Sequence, residues 1–268
     1  EWSRARAYLA GGRIGEAVLL LDELVEREPE RDDFFALLAY VFFAAGLNDE
    51  AAELLGTCGG GDGPGLLLLK AEHLRRVGEI AQSGDLLRRV AENPRLPAGL
   101  AIHLATAFLR VRDFAKAAEI FSRVVEENRK NAAALAGLGY CCVRGRRLED
   151  AESLARESVG AAYHFAWAHF VLGLALAGQG RVREAIECFE RAVEMNPHLG
   201  VARLHLVSWL RRTHAPAERI ERQRGLLGEG LASVPLSSLR ETLRGRLLAG
   251  RRKRLAARRR ERGLILKN

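Results

Sequence analysis

Residues 166–199 read AWAHFVLGLALAGQGRVREAIECFERAVEMNPHL, and this stretch decides the fold. It contains two apolar runs at helical spacing, with Gly180 between them and Pro197 after the second run. Glycine adopts the left-handed conformation that ends many helices, and proline cannot continue a helix. The stretch therefore predicts a helix, a turn and a second helix.

The same pattern recurs upstream at a regular interval. Its clearest marker is a small residue, which we interpret as the point where the two helices of one hairpin cross closely. The marker recurs at spacings of 34, 32, 34, 34 and 34 along the chain: Ala17, Ala51, Ser83, Ala117, Ala151 and Ala185. The copies span residues 1–31, 32–63, 64–97, 98–131, 132–165 and 166–199. Such a period predicts stacked helical hairpins, because one hairpin buries its apolar face only against its neighbours.

The order of residues within the last copy resembles a known repeat family. Leu172 and Gly173 form a Leu-Gly pair, and Ala185, Phe189 and Pro197 follow it. This order is similar to that of the tetratricopeptide repeat. The resemblance implies an all-α fold, a right-handed superhelical solenoid of about six helix-turn-helix hairpins plus C-terminal capping helices.

The segments after the repeats are expected to be helical as well. Residues 200–234 are interpreted as a capping helix or a degenerate seventh repeat, because arrays of this kind end with a helix whose outer side is polar. Residues 235–268 are interpreted as a basic C-terminal helix.

Composition excludes several other classes of protein. No segment alternates apolar and polar residues as strands do, and no run of about eighteen apolar residues could span a membrane. Residue 1 is Glu rather than Met and lies inside the first copy, so we expect the chain to be a fragment or a processed form.

The four cysteines form no CxxC pair and are interpreted as reduced thiols that act as small apolar residues: Cys58, Cys141, Cys142 and Cys188. Reduced thiols favour a reducing compartment, and cytoplasmic localisation is the expectation.

The positive charge of the chain lies at its C-terminal end. Residues 240–268 contain 12 Lys and Arg against 2 Asp and Glu, whereas the rest of the chain contains 30 against 32. We call the following basic residues the basic tail: Arg251, Arg252, Lys253, Arg254, Arg258, Arg259 and Arg260. The favoured interpretation of the tail is a solvated helix end. The alternatives are docking to an acidic protein, to nucleic acid or to an anionic membrane surface.

No motif in the chain indicates catalysis. The seven histidines are scattered without the HExxH spacing of zinc hydrolases, and no GxSxG nucleophile motif occurs. The glycine-rich segment 57–65 lacks the Lys-Ser/Thr pair of a phosphate-binding loop, so we interpret it as a connector. The sequence therefore predicts no catalytic residue, no cofactor and no metal site.

The resemblance places the first helix of each hairpin on the concave surface, where ligands of the family usually bind. That register gives a predicted groove of aromatic and apolar residues with arginines between them: Tyr40, Phe43, Arg75, Arg76, Arg110, Tyr140, Arg144, Trp167, Phe170 and Leu174. Tyr, Trp and Arg dominate many protein interfaces, and arginines favour a segment that carries carboxylates.

One subgroup of the family uses a Lys and an Asn on successive first helices to grip the C-terminal carboxylate of chaperones. That pair is missing at the matching positions here: Trp2, Arg6, Ala36, Tyr40, Leu68 and Glu72. Docking to chaperones is therefore disfavoured.

The favoured function is a non-catalytic scaffold or adaptor that binds a segment of another protein in the groove. One alternative is a regulatory or targeting arm of a larger enzyme of the glycosyltransferase or sulfotransferase type. The other is a nucleic-acid-associated adaptor that works through the basic tail.

Overall fold

The architecture was analysed in a computed structural model of the chain. The structure describes residue 4 and residues 14–28, 32–44, 48–57, 63–197 and 199–229. The basic tail, the helix expected from residue 235 onward, Cys58 and most of the glycine-rich connector lie outside the described residues.

Described residues from Ile14 to Glu229 form thirteen α-helices. They are α1 (Ile14–Arg27), α2 (Asp32–Ala44), α3 (Asn48–Thr57), α4 (Pro64–Arg76), α5 (Ile80–Ala91), α6 (Ala98–Arg110), α7 (Phe114–Glu127), α8 (Ala132–Arg144), α9 (Leu148–Ala161), α10 (Ala166–Gly178), α11 (Val182–Met195), α12 (Gly200–Arg212) and α13 (Ala217–Glu229). The even-numbered helices are the first helices of hairpins, and the odd-numbered helices are the second. Among the described helices, none combines the length and the apolar character needed to cross a membrane.

Side chains and prolines fix several helix starts. The Oδ1 of Asp113 accepts a hydrogen bond from the Lys116 amide at 3.0 Å, and the Oδ1 of Asn131 accepts one from the Ala134 amide at 3.1 Å. Both contacts satisfy an amide that has no partner within the helix. Pro97 immediately precedes α6 and leaves no such amide at its own position.

Five successive hairpin turns contain a residue in the left-handed conformation. The positive φ angles are 94° at Gly78, 67° at Arg112, 62° at Arg146, 83° at Gly180 and 53° at His214. These residues occupy the same position in successive hairpins, so the turn is repeated with the period of the array. The expectation for Gly180 is confirmed, and the same backbone conformation is imposed on two arginines and one histidine.

The chain forms two compact units, with the boundary between His73 and Leu74. The core of the first unit is built by α1, α2, α3 and the beginning of α4, with Leu21, Leu38, Phe42, Ala51 and Leu66 buried at its centre. The burial of these side chains supplies the main stabilisation of such a unit.

Small residues at the helix crossings are buried in both units, as the period predicts. Their exposed fraction is at most 1% at each position: Ala17, Ala51, Ser83, Ala117, Ala151 and Ala185. Gly173 shows the close approach directly, because a Cβ atom built there would lie 2.6 Å from the Phe189 ring. The two helices of hairpin 166–199 can therefore pack this closely only if residue 173 has no side chain.

The connections that enter α10 and α12 are held by a buried polar side chain from the helix that follows. The Nε2 of His169 donates to the Tyr163 carbonyl at 2.9 Å, and the Nη2 of Arg203 donates to the Pro197 carbonyl at 2.9 Å. His169 and Arg203 occupy equivalent positions of successive hairpins and are 1% and 3% exposed. Different side chains thus perform the same local task in successive hairpins, since a buried donor needs an acceptor.

The stacking within residues 98–195 identifies the inner layer of the array. The first helices contact one another directly, α6 with α8 and α8 with α10, and no comparable contact joins α7, α9 and α11 in this part of the described chain. In a curved stack the layer with the closer neighbours is the concave one. We call the open side of α6, α8 and α10 the inner face.

Candidate peptide-binding face

The inner face carries a pair of partly buried aromatic rings. Tyr140 of α8 and Trp167 of α10 lie with their ring centroids 5.6 Å apart and their planes at 49°. Both side chains are half-buried and pack on the core of the second unit. A large ring that is already ordered contributes contact area on binding at little cost in side-chain entropy.

The core holds Trp167 in place from below. Its ring lies 5.0 Å from that of Phe170, which in turn lies 5.9 Å from Phe189 and 5.5 Å from His205. These rings form a continuous ladder from the inner face to the interface between α11 and α12. Tyr140 and Trp167 therefore present a rigid surface rather than two independent side chains.

Leu174 and Arg144 extend the aromatic pair along the inner face. Leu174, on α10, is half-buried and packs against the same core cluster. Arg144 is exposed at the end of α8, and its guanidinium carbon lies 4.5 Å from the centroid of the Phe114 ring. Tyr140, Arg144, Trp167 and Leu174 thus lie on two adjacent first helices, α8 and α10, and the rings of Tyr140 and Trp167 are in contact.

The remaining predicted arginines belong to neighbouring first helices. Arg75 and Arg76 are the last residues of α4, half-buried and exposed respectively. Arg110 is exposed at the end of α6, at the position that Arg144 occupies one repeat later. All three make further polar or ring contacts within the structure, so their charges are not all available to a ligand.

Two aromatic residues predicted to line the groove are buried instead. Phe43 is 5% exposed and lies 6.3 Å from the His73 ring, and Phe170 is 1% exposed within the aromatic ladder. The prediction that these two rings lie open to a ligand is therefore wrong. Residues three apart on a helix differ by about 60° in direction. Tyr40 (53% exposed) and Trp167 consequently remain at the surface while their neighbours Phe43 and Phe170 enter the core.

Phe114 is the residue near the inner face that reasoning from the sequence missed. It is the first residue of a second helix, and the register of the groove considers only first helices. Phe114 and Arg144 belong to different hairpins, so no local pattern signals their contact.

The described cysteines are buried and protonated rather than activated. Burial raises the pKa of the Cys141 thiol to about 12 together with the neighbouring Cys142, and burial also raises the pKa of Cys142 and Cys188. Such thiols are poor nucleophiles at neutral pH. In the described part of the chain, no cluster of His, Cys, Asp and Glu could hold a metal ion.

A family model described as tetratricopeptide repeat matches residues 3–56 and 102–164. A second model with the same description matches residues 166–199. Together these ranges cover more than half of the chain. The chain belongs to the tetratricopeptide repeat family, and its fold is an all-α helical-repeat solenoid.

Two of the solved structures that match the chain have low identity to it. MamA 41-end from Desulfovibrio magneticus RS-1 is 19% identical, with a TM-score of 0.44 over 64% of this chain and 94% of that chain. YrrB, a TPR protein with an unusual peptide-binding site, is 16% identical, with a TM-score of 0.47 over 69% and 96%.

The APC/C hetero-tetramer Cut9–Hcn1 also contains a chain similar to this one. The identity is 12%, and the TM-score is 0.66 over 87% of this chain and 46% of that chain. This likeness supports the fold and does not extend to a partner. No curated protein sequence matches the chain.

Membership in the family defines the general role of the fold. Tetratricopeptide repeats mediate protein–protein interactions and scaffolding, and they are generally non-catalytic modules. The fold therefore implies binding to another protein or peptide.

Proposed function

We propose that this chain is a non-catalytic scaffold or adaptor that binds a segment of a partner protein on its inner face. The observation that carries the proposal is the ordered pair of Tyr140 and Trp167, 5.6 Å apart and half-exposed between two first helices. Aromatic residues of this kind are typical of the centres of protein interfaces.

The charge around the pair favours a segment that carries carboxylates. Arg144 lies one helical turn from Tyr140, and Arg110 occupies the equivalent position on the preceding first helix. Arginine binds carboxylates through charge-assisted hydrogen bonds. No cofactor takes part in this function, since recognition needs only contact and charge.

Replacement of the two rings tests the proposal. The variant Tyr140→Leu/Trp167→Leu keeps apolar side chains on the core but removes the flat surfaces. We expect it to lose the partners captured by the unaltered chain, with affinity reduced about 30-fold, as for a hot spot of roughly 2 kcal/mol. The measurement is affinity capture followed by quantitative mass spectrometry, with dissociation constants for the partners identified.

A matched control is provided by Tyr163, an exposed tyrosine in the connection between α9 and α10. Tyr163→Leu should capture the same partners as the unaltered chain. Equal capture by the double variant and the control would place the binding surface outside the inner face. Circular dichroism of each variant shows whether the helices are retained.

We also propose that the chain works in a reducing compartment, the cytoplasm. The three described cysteines are free thiols, and two of them, Cys141 and Cys142, are neighbours without a bond. Disulfides form readily in oxidising compartments and are rare in the cytosol. Alkylation of the protein directly in lysed cells tests this, since recovery of any oxidised cysteine would contradict it.

A further inference from the structure

The end of α8 carries a cation that lies against an aromatic ring. The guanidinium carbon of Arg144 lies 4.5 Å from the centre of the half-buried Phe114 ring. A guanidinium group above an aromatic face is attracted by the ring, and its N–H groups point outward in its own plane. Phe114 therefore leaves the hydrogen-bonding edge of Arg144 accessible to a ligand.

The guanidinium group of Arg144 makes no hydrogen bond and no ion pair with any described residue. Arg181 offers the contrast, because it donates to Glu152 at 2.8 Å and to Glu184 at 2.6 Å. An arginine that is ordered by stacking but has no carboxylate partner loses little side-chain entropy when a carboxylate binds. These are the properties expected of a receptor for a negative charge.

The pair of Arg144 and Phe114 is not repeated at the equivalent positions of the neighbouring hairpins. The residues equivalent to Arg144 and Phe114 are Arg110 and Ile80 in the preceding hairpin, so that the aromatic ring is replaced by an aliphatic side chain. In the following hairpin Gly178 takes the place of the arginine, and a Cβ atom there would lie 2.8 Å from the Leu148 side chain. The contact between Arg144 and Phe114 therefore depends on residues particular to this position.

Tyr140 supplies an apolar surface beside the receptor. It precedes Arg144 by four positions on α8, so the two side chains share a helix face about 6 Å apart along the axis. The ring of Trp167 widens this surface from the neighbouring helix. The site therefore joins one carboxylate receptor to one aromatic shelf.

We infer that this site recognises a partner segment in which a carboxylate and a large apolar side chain lie on one side, about 6 Å apart. Such a pair is formed by residues two apart in an extended chain, at about 3.3 Å per residue, or four apart in a helix. Phe114 is a positioning residue for Arg144. The inference rests on the proposed function, because it names the chemistry of the segment that binds the inner face.

A peptide array tests the spacing and the charge together. The probes are immobilised 12-residue peptides of Ser and Gly that carry one Phe and one Glu at separations of one to six positions. Each probe is paired with the same peptide in which Gln replaces Glu. We expect the unaltered chain to be retained about fivefold better by Glu peptides than by Gln peptides, with maxima at separations of two or four.

Variants of the protein show whether retention depends on Arg144 itself or on positive charge in general. Arg144→Gln should lower retention on Glu peptides about fivefold, to the level of the Gln peptides. Arg144→Lys should not restore it, because an ammonium group lacks the planar pair of donors. Phe114→Leu should give an intermediate loss with the preference for Glu reduced. Arg191→Gln removes the same charge from an exposed position on α11, a second helix outside the inner face, and should change little.

The outcomes distinguish the two proposals. Equal retention on Glu and Gln peptides, or an equal effect of Arg191→Gln and Arg144→Gln, overturns the receptor at Arg144. If retention in that case still requires Tyr140 and Trp167, the proposed function stands. Retention that is insensitive to Tyr140→Leu/Trp167→Leu overturns the proposed function, and absence of retention on every peptide overturns both.

Discussion

Hairpins 132–165 and 166–199 have the same helix lengths, 13 and 14 residues. They differ in the size of the side chain that fills the space between their two helices. In the later hairpin the Phe189 ring fills the space beside Gly173. In the earlier one the equivalent residue is Ala155, and a Cβ atom on Gly139 would come no closer to a neighbour than 3.3 Å, at Val171. The same backbone therefore tolerates two core solutions.

The interfaces between hairpins differ in the same way. Phe121 is the equivalent of Ala155 one repeat earlier, and a Cβ atom on Gly137 in the next first helix would lie 2.4 Å from its ring. Phe189, at the equivalent position one repeat later, instead packs against His205 at 5.7 Å. Large rings are thus placed in alternate hairpins, and the facing residue adjusts in size. The packing conserves total volume rather than the residue at each position.

Removal of the larger ring is the strongest test of this difference. Phe189→Ala would give hairpin 166–199 the alanine that hairpin 132–165 has at position 155. The side chains around position 189 would remain sized for a ring. We expect it to lower the free energy of unfolding by about 3–5 kcal/mol, because a buried ring leaves a cavity. Urea unfolding followed by circular dichroism measures the loss. Arg191→Ala, an exposed position close by on the same helix, should stay within about 0.5 kcal/mol, and an equal loss there would contradict the cavity argument.

The two glycines of the Leu-Gly pairs should respond unequally to a methyl group. Gly173→Ala places a Cβ atom 2.6 Å from the Phe189 ring and should cost about 1–3 kcal/mol. Gly139→Ala requires only a small shift of the Val171 side chain and gains helix propensity, so its net effect should be below about 1 kcal/mol. The same urea titration compares the two variants, and equal losses would contradict the difference in packing.

A double variant sharpens that result. Gly173→Ala/Phe189→Ala should cost less than the sum of the single changes, because the added methyl group enters the space left by the ring. Additive costs would show that the glycine is required for another reason.

Substitution of the turn residue compares the hairpins at a third position. Arg146 and Gly180 occupy the same left-handed turn, with φ of 62° and 83°. Gly180→Ala should cost about 1–2 kcal/mol, since a Cβ atom is strained in this conformation. Arg146→Gly should be nearly neutral or stabilising by up to about 1 kcal/mol, because relief of strain is partly offset by the entropy of the unfolded chain. Thermal unfolding midpoints measure both, and a clear loss on Arg146→Gly would refute the argument.

The smallest expected effect is a dependence of stability on pH through His205, which packs against Phe189. Burial lowers the pKa of His205 below its ordinary value of 6.5, because the charged imidazole loses water between Phe170 and Phe189. The unfolded chain therefore binds more protons than the folded chain in this range. The contribution to stability is fully present above about pH 6.5 and decreases as the pH falls toward the lower folded pKa.

Stability measured as a function of pH tests this assignment. Other histidines titrate in the same window, so the informative quantity is the difference between the unaltered chain and His205→Leu. The variant should show a flatter dependence below pH 6.5. An unchanged slope would show that His205 has the same pKa in the folded and unfolded states.

Within the candidate site, the sequence predicted the members of the inner face better than their contacts. Tyr140, Arg144, Trp167 and Leu174 follow from the register of the first helices, and they lie on α8 and α10. Their role in binding stays a prediction. Helical spacing alone does not show that Phe170 is buried while Trp167 stays at the surface. A residue near the edge of an apolar stripe enters the core only when another helix covers it. Here His205 of α12 provides that cover.

The sequence by itself determined what depends on neighbours along the chain: the period of the repeat, the small residues at the helix crossings and the glycine turn at Gly180. The tertiary structure alone decided what depends on contacts between hairpins. It placed Phe114 against Arg144, and it buried Phe170 beneath Trp167. The physical reason is that packing forces act across the stack. Residues from different repeats then share one environment, which no local pattern records.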